Sequence, residues 1–160
     1  MSDHTSKGWA LAARPVGAPK RSDFTMIEES VPAPKDGEIQ VRNSWMSVDP
    51  YMRGRMTDRK SYVPPFALGE VMQGGAVGTV TASAHPDYSI GDKVQTMAGW
   101  REAFTANPEL VMAKKLMVGT GLPDQAFLGV AGMPGLTAYA GLLREGELKS
   151  GDIVFVSGAA

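Results

Sequence analysis

Cysteine is absent from this chain of 160 residues, which excludes disulfide bonds, thiolate nucleophiles and every cysteine-ligated zinc centre. Histidine is nearly absent. His4 stands in the N-terminal stretch, His85 precedes Pro86 in a loop, and neither has ligand-like neighbours. A catalytic zinc wants three protein ligands, so no metal site is expected. No apolar run approaches the length of a membrane-spanning helix, and the opening MSDHTSKGW lacks the apolar stretch of a secretory signal. Neither membrane insertion nor secretion is expected, and the cytoplasm is the expected compartment. An excess of one charge is also missing. Sixteen Lys and Arg stand against 17 Asp and Glu, a formal net charge of −1, with neither sign clustered. An electrostatic surface for nucleic acid or anionic lipid is therefore not expected.

What the chain does have is enough apolar residue, 43%, for one domain or slightly more. Its 19 Gly and 11 Pro place turn signals at short spacing through the first two thirds, with little sustained helical period. That pattern predicts an all-β body, closed or nearly closed as a barrel over about residues 8–120. Strands are predicted at Gly8–Arg14, Phe24–Ser30, Glu38–Val48, Gly75–Ala84, Lys93–Ala98 and Arg101–Ala106. In the third, Ile39, Val41, Asn43 and Trp45 alternate with Gln40, Arg42, Ser44 and Met46, the two-residue repeat of a half-buried strand. Pro32, Pro34 and Asp36-Gly37 form a connecting turn, and Lys60–Phe66, with Pro64-Pro65, reads as an irregular surface loop.

The character changes near Pro123. Pro123-Asp124-Gln125 can start a short helix, and Pro134 suits the first turn of a second, where its missing N–H costs nothing. Leu136, Tyr139, Ala140 and Leu143 then follow the spacing of an amphipathic helix that stops around Gly146. After the Gly151-Asp152 turn, Ile153–Val156 reads as a short buried parallel strand entering the glycine-rich turn Ser157-Gly158. An ordinary edge strand fits that segment equally well. The order β-body, helices, strand predicts a β-rich domain over 1–122 and, over 123–160, helices leading into a parallel α/β domain.

Three stretches, VDPYMRGRM (48–56), GMPGLTAYAGLL (132–143) and GDIVFVSGAA (151–160), resemble the medium-chain dehydrogenase/reductase superfamily. The likeness is to its zinc-free branch of leukotriene B4 12-hydroxydehydrogenase, prostaglandin reductase and 2-alkenal or curcumin reductases. YSIGDKVQTMAGWREAF (88–104) fits the same template. The resemblance implies a mainly β fold: a chaperonin-10-like (GroES-like) barrel, then the first strand of a truncated Rossmann domain. It also implies NADPH-dependent reduction of an activated carbon–carbon double bond in a small apolar enone or enal, by a whole protein that is a homodimer. Zinc-dependent members carry a Cys in the region matching Met46–Asp49 and Gly-His-Glu where this chain has Gly69-Glu70-Val71. Without a Lewis acid, hydride addition to an enone is favoured over alcohol oxidation, because the enolate oxygen needs only hydrogen-bond donors.

The resemblance implies site residues one by one. Tyr51, in the D-P-Y-M-R turn, is the catalytic candidate: its phenol stays protonated at neutral pH and can donate to a carbonyl oxygen. The alternative is a half-buried tyrosine that anchors a turn. Met133, Gly135 and Thr137 are candidates beside the nicotinamide: an adaptable apolar contact, a missing side chain that lets a flat ring approach, and a hydroxyl one turn in. Thr137 is expected to share an open cleft with Tyr51. The alternative makes Met133, Leu136 and Tyr139 plain core residues of an interdomain helix, the preferred reading for Leu136. Gly158 occupies the first position of the glycine-rich fingerprint, whose later glycines would fall beyond Ala160. Asp49 is expected to cap the following turn, and Arg53 and Arg55 to be solvated charges, with an interdomain or phosphate contact as their alternative. Since the phosphate cradle would also lie beyond Ala160, the 160 residues alone are expected to be inactive. Two further readings remain: a quinone reductase, whose branch has an asparagine where this chain has Met46, and a non-catalytic binding module.

Overall fold

The computed structural model describes residues 4–61, 63–117 and 119–157. Strands β1 (His4–Leu11) and β2 (Phe24–Val31) pair antiparallel in full register, His4 opposite Val31 and Leu11 opposite Phe24. β3 (Ile39–Met46), β4 (Ala76–Ser83), β5 (Lys93–Thr96), β6 (Ala103–Ala106) and β7 (Lys114–Lys115) form an antiparallel sheet of order β6-β3-β4-β5-β7. Isolated bridges tie β1 to the segments flanking the second sheet, Gly8 to Arg101 just before β6 and Ala10 to Val71 before β4, so the barrel closes only in part. The six predicted strands are all present: β1 starts four residues before the predicted Gly8 and stops at Leu11, β2 runs one residue past the predicted Ser30, and the other four are trimmed at their ends. β7 and the one-and-a-half-turn helix α1 (Tyr51–Arg55) carried no periodic signal long enough to read.

The core falls into two clusters. Ile39, Val41, Val80, Val94, Ala98 and Phe104 pack inside the large sheet. Leu11, Met52, Met56, Phe66 and Met72 form a second cluster, flanked by Trp9, Phe24, Tyr51 and Trp100. β3 departs from the expected alternation. Its pairing with β4 shifts register between Asn43 and Trp45, and such a bulge reverses the side-chain phase. Trp45 is consequently half exposed instead of sharing the inner face with Ile39 and Val41. Gln40 is buried on the same strand, with its amide donating to the Pro32 carbonyl and its side-chain oxygen accepting from the Thr81 hydroxyl at 3.0 Å.

Beyond the barrel, Asp124–Leu128 is a 3₁₀ turn started by Pro123, and Phe127 is its buried residue. α2 (Met133–Tyr139) begins with Pro134 in its first turn and continues as a wider π-type turn over Ala140–Glu145. The predicted amphipathic face exists but is not covered: Leu136, Tyr139 and Leu143 are all exposed. The segment 152–156 differs from its expected form. It pairs with no strand, and Ile153 is 99% exposed, because a parallel strand needs neighbours on either side and none of the described residues supplies them. Among the described residues, no helix is long and apolar enough to cross a membrane.

Candidate active site

Tyr51 opens α1 directly after Pro50, whose fixed backbone angle starts the helix (φ −56°). The turn before it is held by short bonds. The Ser47 hydroxyl donates to the Asp49 carboxylate at 2.6 Å, and the Ser47 amide donates to the Gly75 carbonyl at 2.8 Å. Asp49 therefore anchors Ser47 and does not cap α1 through its side chain as expected. Arg55 is not the solvated charge expected, and Arg53, half exposed, is engaged with the backbone as well. Arg53 Nη2 donates to the Gly17 carbonyl at 2.7 Å, clamping α1 to the loop after β1. Arg55 is 9% exposed, donates from Nε to the Pro64 carbonyl and from Nη2 to the Gln73 side-chain oxygen, both at 2.9 Å, and lies 4.1 Å above the Phe66 ring. Burial lowers its pKa, while the neighbouring Tyr51 acts in the opposite sense.

One helical turn separates Tyr51 from Arg55, so both side chains reach the same side of α1. They line one cavity of about 170 Å³ with Arg59, Ser61, Val63 and Pro65. Arg59 and this grouping went unnoticed in the sequence. The spacing of 51 and 55 acquires meaning only once residues 51–55 are known to be helical, and Arg59, beyond the end of α1, is brought to the cavity by the following irregular segment. A second cavity, of about 270 Å³, is lined by Trp9, Met26, Asn43, Trp45, Met46 and Trp100. Its floor depends on Asn43, whose side-chain amide donates to the Ala98 and Arg101 carbonyls at 2.9 and 2.8 Å. These bonds hold Trp100 at φ 61°, a backbone region a bulky residue rarely enters.

The expected cofactor-side residues lie elsewhere. Met133 and Thr137 are exposed on α2, outside the cavity that Tyr51 lines, and the Thr137 hydroxyl donates to the Met133 carbonyl at 2.8 Å. Gly135 has a reason not foreseen: a Cβ there would collide with the Val130 carbonyl, so its missing side chain admits the chain's own backbone. Gly158 lies outside the described residues. The two halves meet at Gly75, where a Cβ would stand 3.0 Å from Ser47 Oγ and 3.5 Å from the Leu128 side chain. Among the described residues, no three His, Cys, Asp or Glu side chains are grouped to hold a metal ion. His85 serves its own turn, its Nδ1 accepting from the Asp87 amide.

Residues 7–113 match the family described as the N-terminal domain of oxidoreductase. The chain is 44% identical over 155 residues to the NADPH-dependent curcumin reductase of Escherichia coli, covering 96% of this chain and 44% of that protein. It is 38% identical over 149 residues to the NADP(+)-dependent 2-alkenal reductase of Nicotiana tabacum, covering 90% and 43%. Among solved structures, CurA from Vibrio vulnificus in complex with NADPH superposes with a TM-score of 0.81 at 41% identity, covering 91% of this chain and 42% of that one. The chain thus spans less than half the length of these relatives. With this match, and with a mainly β fold of the GroES-like kind, the chain belongs to the medium-chain dehydrogenase/reductase superfamily as an oxidoreductase N-terminal domain.

Proposed function

We propose that this chain is the substrate-side domain of an NADPH-dependent reductase of α,β-unsaturated ketones and aldehydes, active when joined to a nucleotide-binding domain. The observation that carries the reading is Tyr51, placed directly after a braced turn and lining a cavity, in a chain similar to NADPH-dependent curcumin and 2-alkenal reductases. NADPH would supply the hydride. Residues 1–122 would then form the substrate domain, and 123–160 would lead into the Rossmann domain.

In this reading the Tyr51 phenol donates a hydrogen bond to the substrate carbonyl oxygen. As the β-carbon gains a hydride, negative charge moves onto that oxygen, and a donor already in place stabilises it without reorganising. Asp49 and Ser47 fix the backbone before Tyr51, and Met52 and Met56 anchor the helix that carries it. The exposed apolar face of α2 fits a flat aromatic ring: Met133 is 71% exposed, and Thr137 keeps acceptor capacity on a hydroxyl whose proton is already engaged. Gly135 contributes by letting α2 start against Val130 and not by opening space for a ring.

Joining residues 1–157 to the nucleotide-binding half of the E. coli curcumin reductase gives the test. NADPH consumption on a simple enone, with the saturated ketone as product, supports the reading. Turnover of quinones alone would reassign the protein to quinone reduction, and no turnover with a folded, NADPH-binding product would leave a binding module.

A further inference from the structure

Arg55 is a fixed positive charge beside the phenol that the reductase reading uses. Tyr51 and Arg55 stand one turn apart on α1, and both line the same cavity. Contacts from outside α1 hold the guanidinium still: Nε donates to the Pro64 carbonyl and Nη2 to Gln73 Oε1, both at 2.9 Å, and the centre of the Phe66 ring lies 4.1 Å from its carbon. These partners are neutral, so none of them cancels the charge. The ionisable group that Arg55 senses is Tyr51, and their contact favours the charged guanidinium. Such an interaction is mutual, and the guanidinium equally favours negative charge on the phenol oxygen. The other charges nearby bear on that oxygen less. Arg59 lines the cavity but is exposed, where water screens it, and Arg53 donates to the Gly17 carbonyl. Among the described residues, no carboxylate lines the cavity.

We propose that Arg55 is a positioning residue for Tyr51, holding positive charge beside the phenol and so making it a stronger hydrogen-bond donor to the developing enolate oxygen. In the reaction the enone β-carbon takes a hydride from NADPH, which leaves as NADP+, the charge moves onto the carbonyl oxygen, and the α-carbon then takes a proton from solvent. Tyr51 keeps its proton throughout. Its O–H bond is polarised further when a cation stabilises the oxygen, so its hydrogen bond tightens most when the acceptor becomes anionic. Arg55 touches no reacting atom in this scheme and acts only through the phenol. The catalytic effect rests on the reductase reading; the coupling between the two side chains does not.

Carbon-13 NMR at the hydroxyl-bearing ring carbon follows Tyr51 ionisation in the 160-residue chain, the signal being assigned by its loss in Tyr51→Phe. Arg55→Met keeps the apolar stem and removes the charge, so it should raise the Tyr51 midpoint, whereas Arg55→Lys should leave it close to the parent's. Gln73→Glu tests the same charge with Arg55 in place. Gln73 is exposed, and a carboxylate at its Oε1 position, 2.9 Å from Arg55 Nη2, should pair with the guanidinium and raise the midpoint as well. Arg59→Met should move it less than Arg55→Met. In the joined protein, Arg55→Met should slow single-turnover hydride transfer about tenfold, less than the roughly 10²–10³-fold for losing the donor itself, and Arg55→Lys should restore most of the rate. The fall in rate at high pH, where Tyr51 loses its proton, should move to higher pH with the midpoint. A midpoint unmoved by Gln73→Glu would overturn the proposal whatever Arg55→Met does to the fold. So would equal effects of Arg55→Met and Arg55→Lys, which would make the role one of shape. Failure of the joined protein to reduce an enone, with the midpoints moving as expected, would defeat the reductase reading and leave the coupling standing.

Discussion

Lys93 Nζ stands 2.7 Å from Asp124 Oδ2, an ion pair that links β5 to the 3₁₀ turn through which α2 hangs from the barrel. Phe127, 8% exposed, sits in the same turn, and its carbonyl accepts from Gln95 Nε2 at 3.2 Å. Both ion-pair side chains are about a third or more exposed, so water screens most of their attraction. Burial should dominate. Asp124→Asn is expected to cost under about 1 kcal/mol, whereas Phe127→Ala should cost about 3 kcal/mol. Limited proteolysis after residue 123 should accelerate clearly only in the second variant; equal acceleration in both would make the ion pair the real fastener.

Tyr51→Phe tests the catalytic assignment in the joined protein. Loss of one oxyanion donor should lower kcat for an enone by roughly 10²–10³-fold with a smaller change in KM. Single-turnover hydride transfer within about threefold of the parent, roughly half a kcal/mol of barrier, would make Tyr51 a pocket wall only.

Gly78 and Gly54 should respond to alanine in opposite directions. A Cβ at Gly78 would stand 2.5 Å from the Arg42 carbonyl and 2.7 Å from a Val41 methyl, inside the central β3-β4 pair. Gly78→Ala should therefore destabilise by roughly 1–3 kcal/mol. Gly54, in α1, has open space at that position, and alanine there should stabilise by up to about 1 kcal/mol. Urea unfolding midpoints read both signs.

Asp92 predicts an acid-sensitive contribution to stability. Its carboxyl is held below the ordinary carboxylate range, first by the hydrogen bond from Lys115 at 2.7 Å and then by the Ser89 amide. With the folded pKa below the unfolded one, the stabilisation is complete above the unfolded value and is lost as pH falls through the folded one. The stability gap between the parent and Lys115→Met should shrink over that acidic window. What remains at low pH is the contact of Lys115 with the Tyr88 ring, 5.5 Å away. A gap that stays constant from neutral pH into acid would remove Asp92 as the group that titrates.

The sequence by itself determined the strands, because a two-residue repeat between turn residues is a local property: Phe24–Val31 and Ile39–Met46 were legible from their own side chains. It also determined family membership, through short motifs such as DPYMR (49–53) that packing need not explain. Tertiary structure decided the rest. The bulge that turns Trp45 outward comes from pairing with β4, and Arg55 is buried only because residues 64–73 fold over α1. Gly135 is glycine because the Val130 carbonyl arrives there, a close approach between segments that no periodicity records. The apolar run Ile153–Val156 shows the reverse limit. Its composition suits a buried strand, but a strand forms only where hydrogen-bonding neighbours exist, and among the described residues it has none.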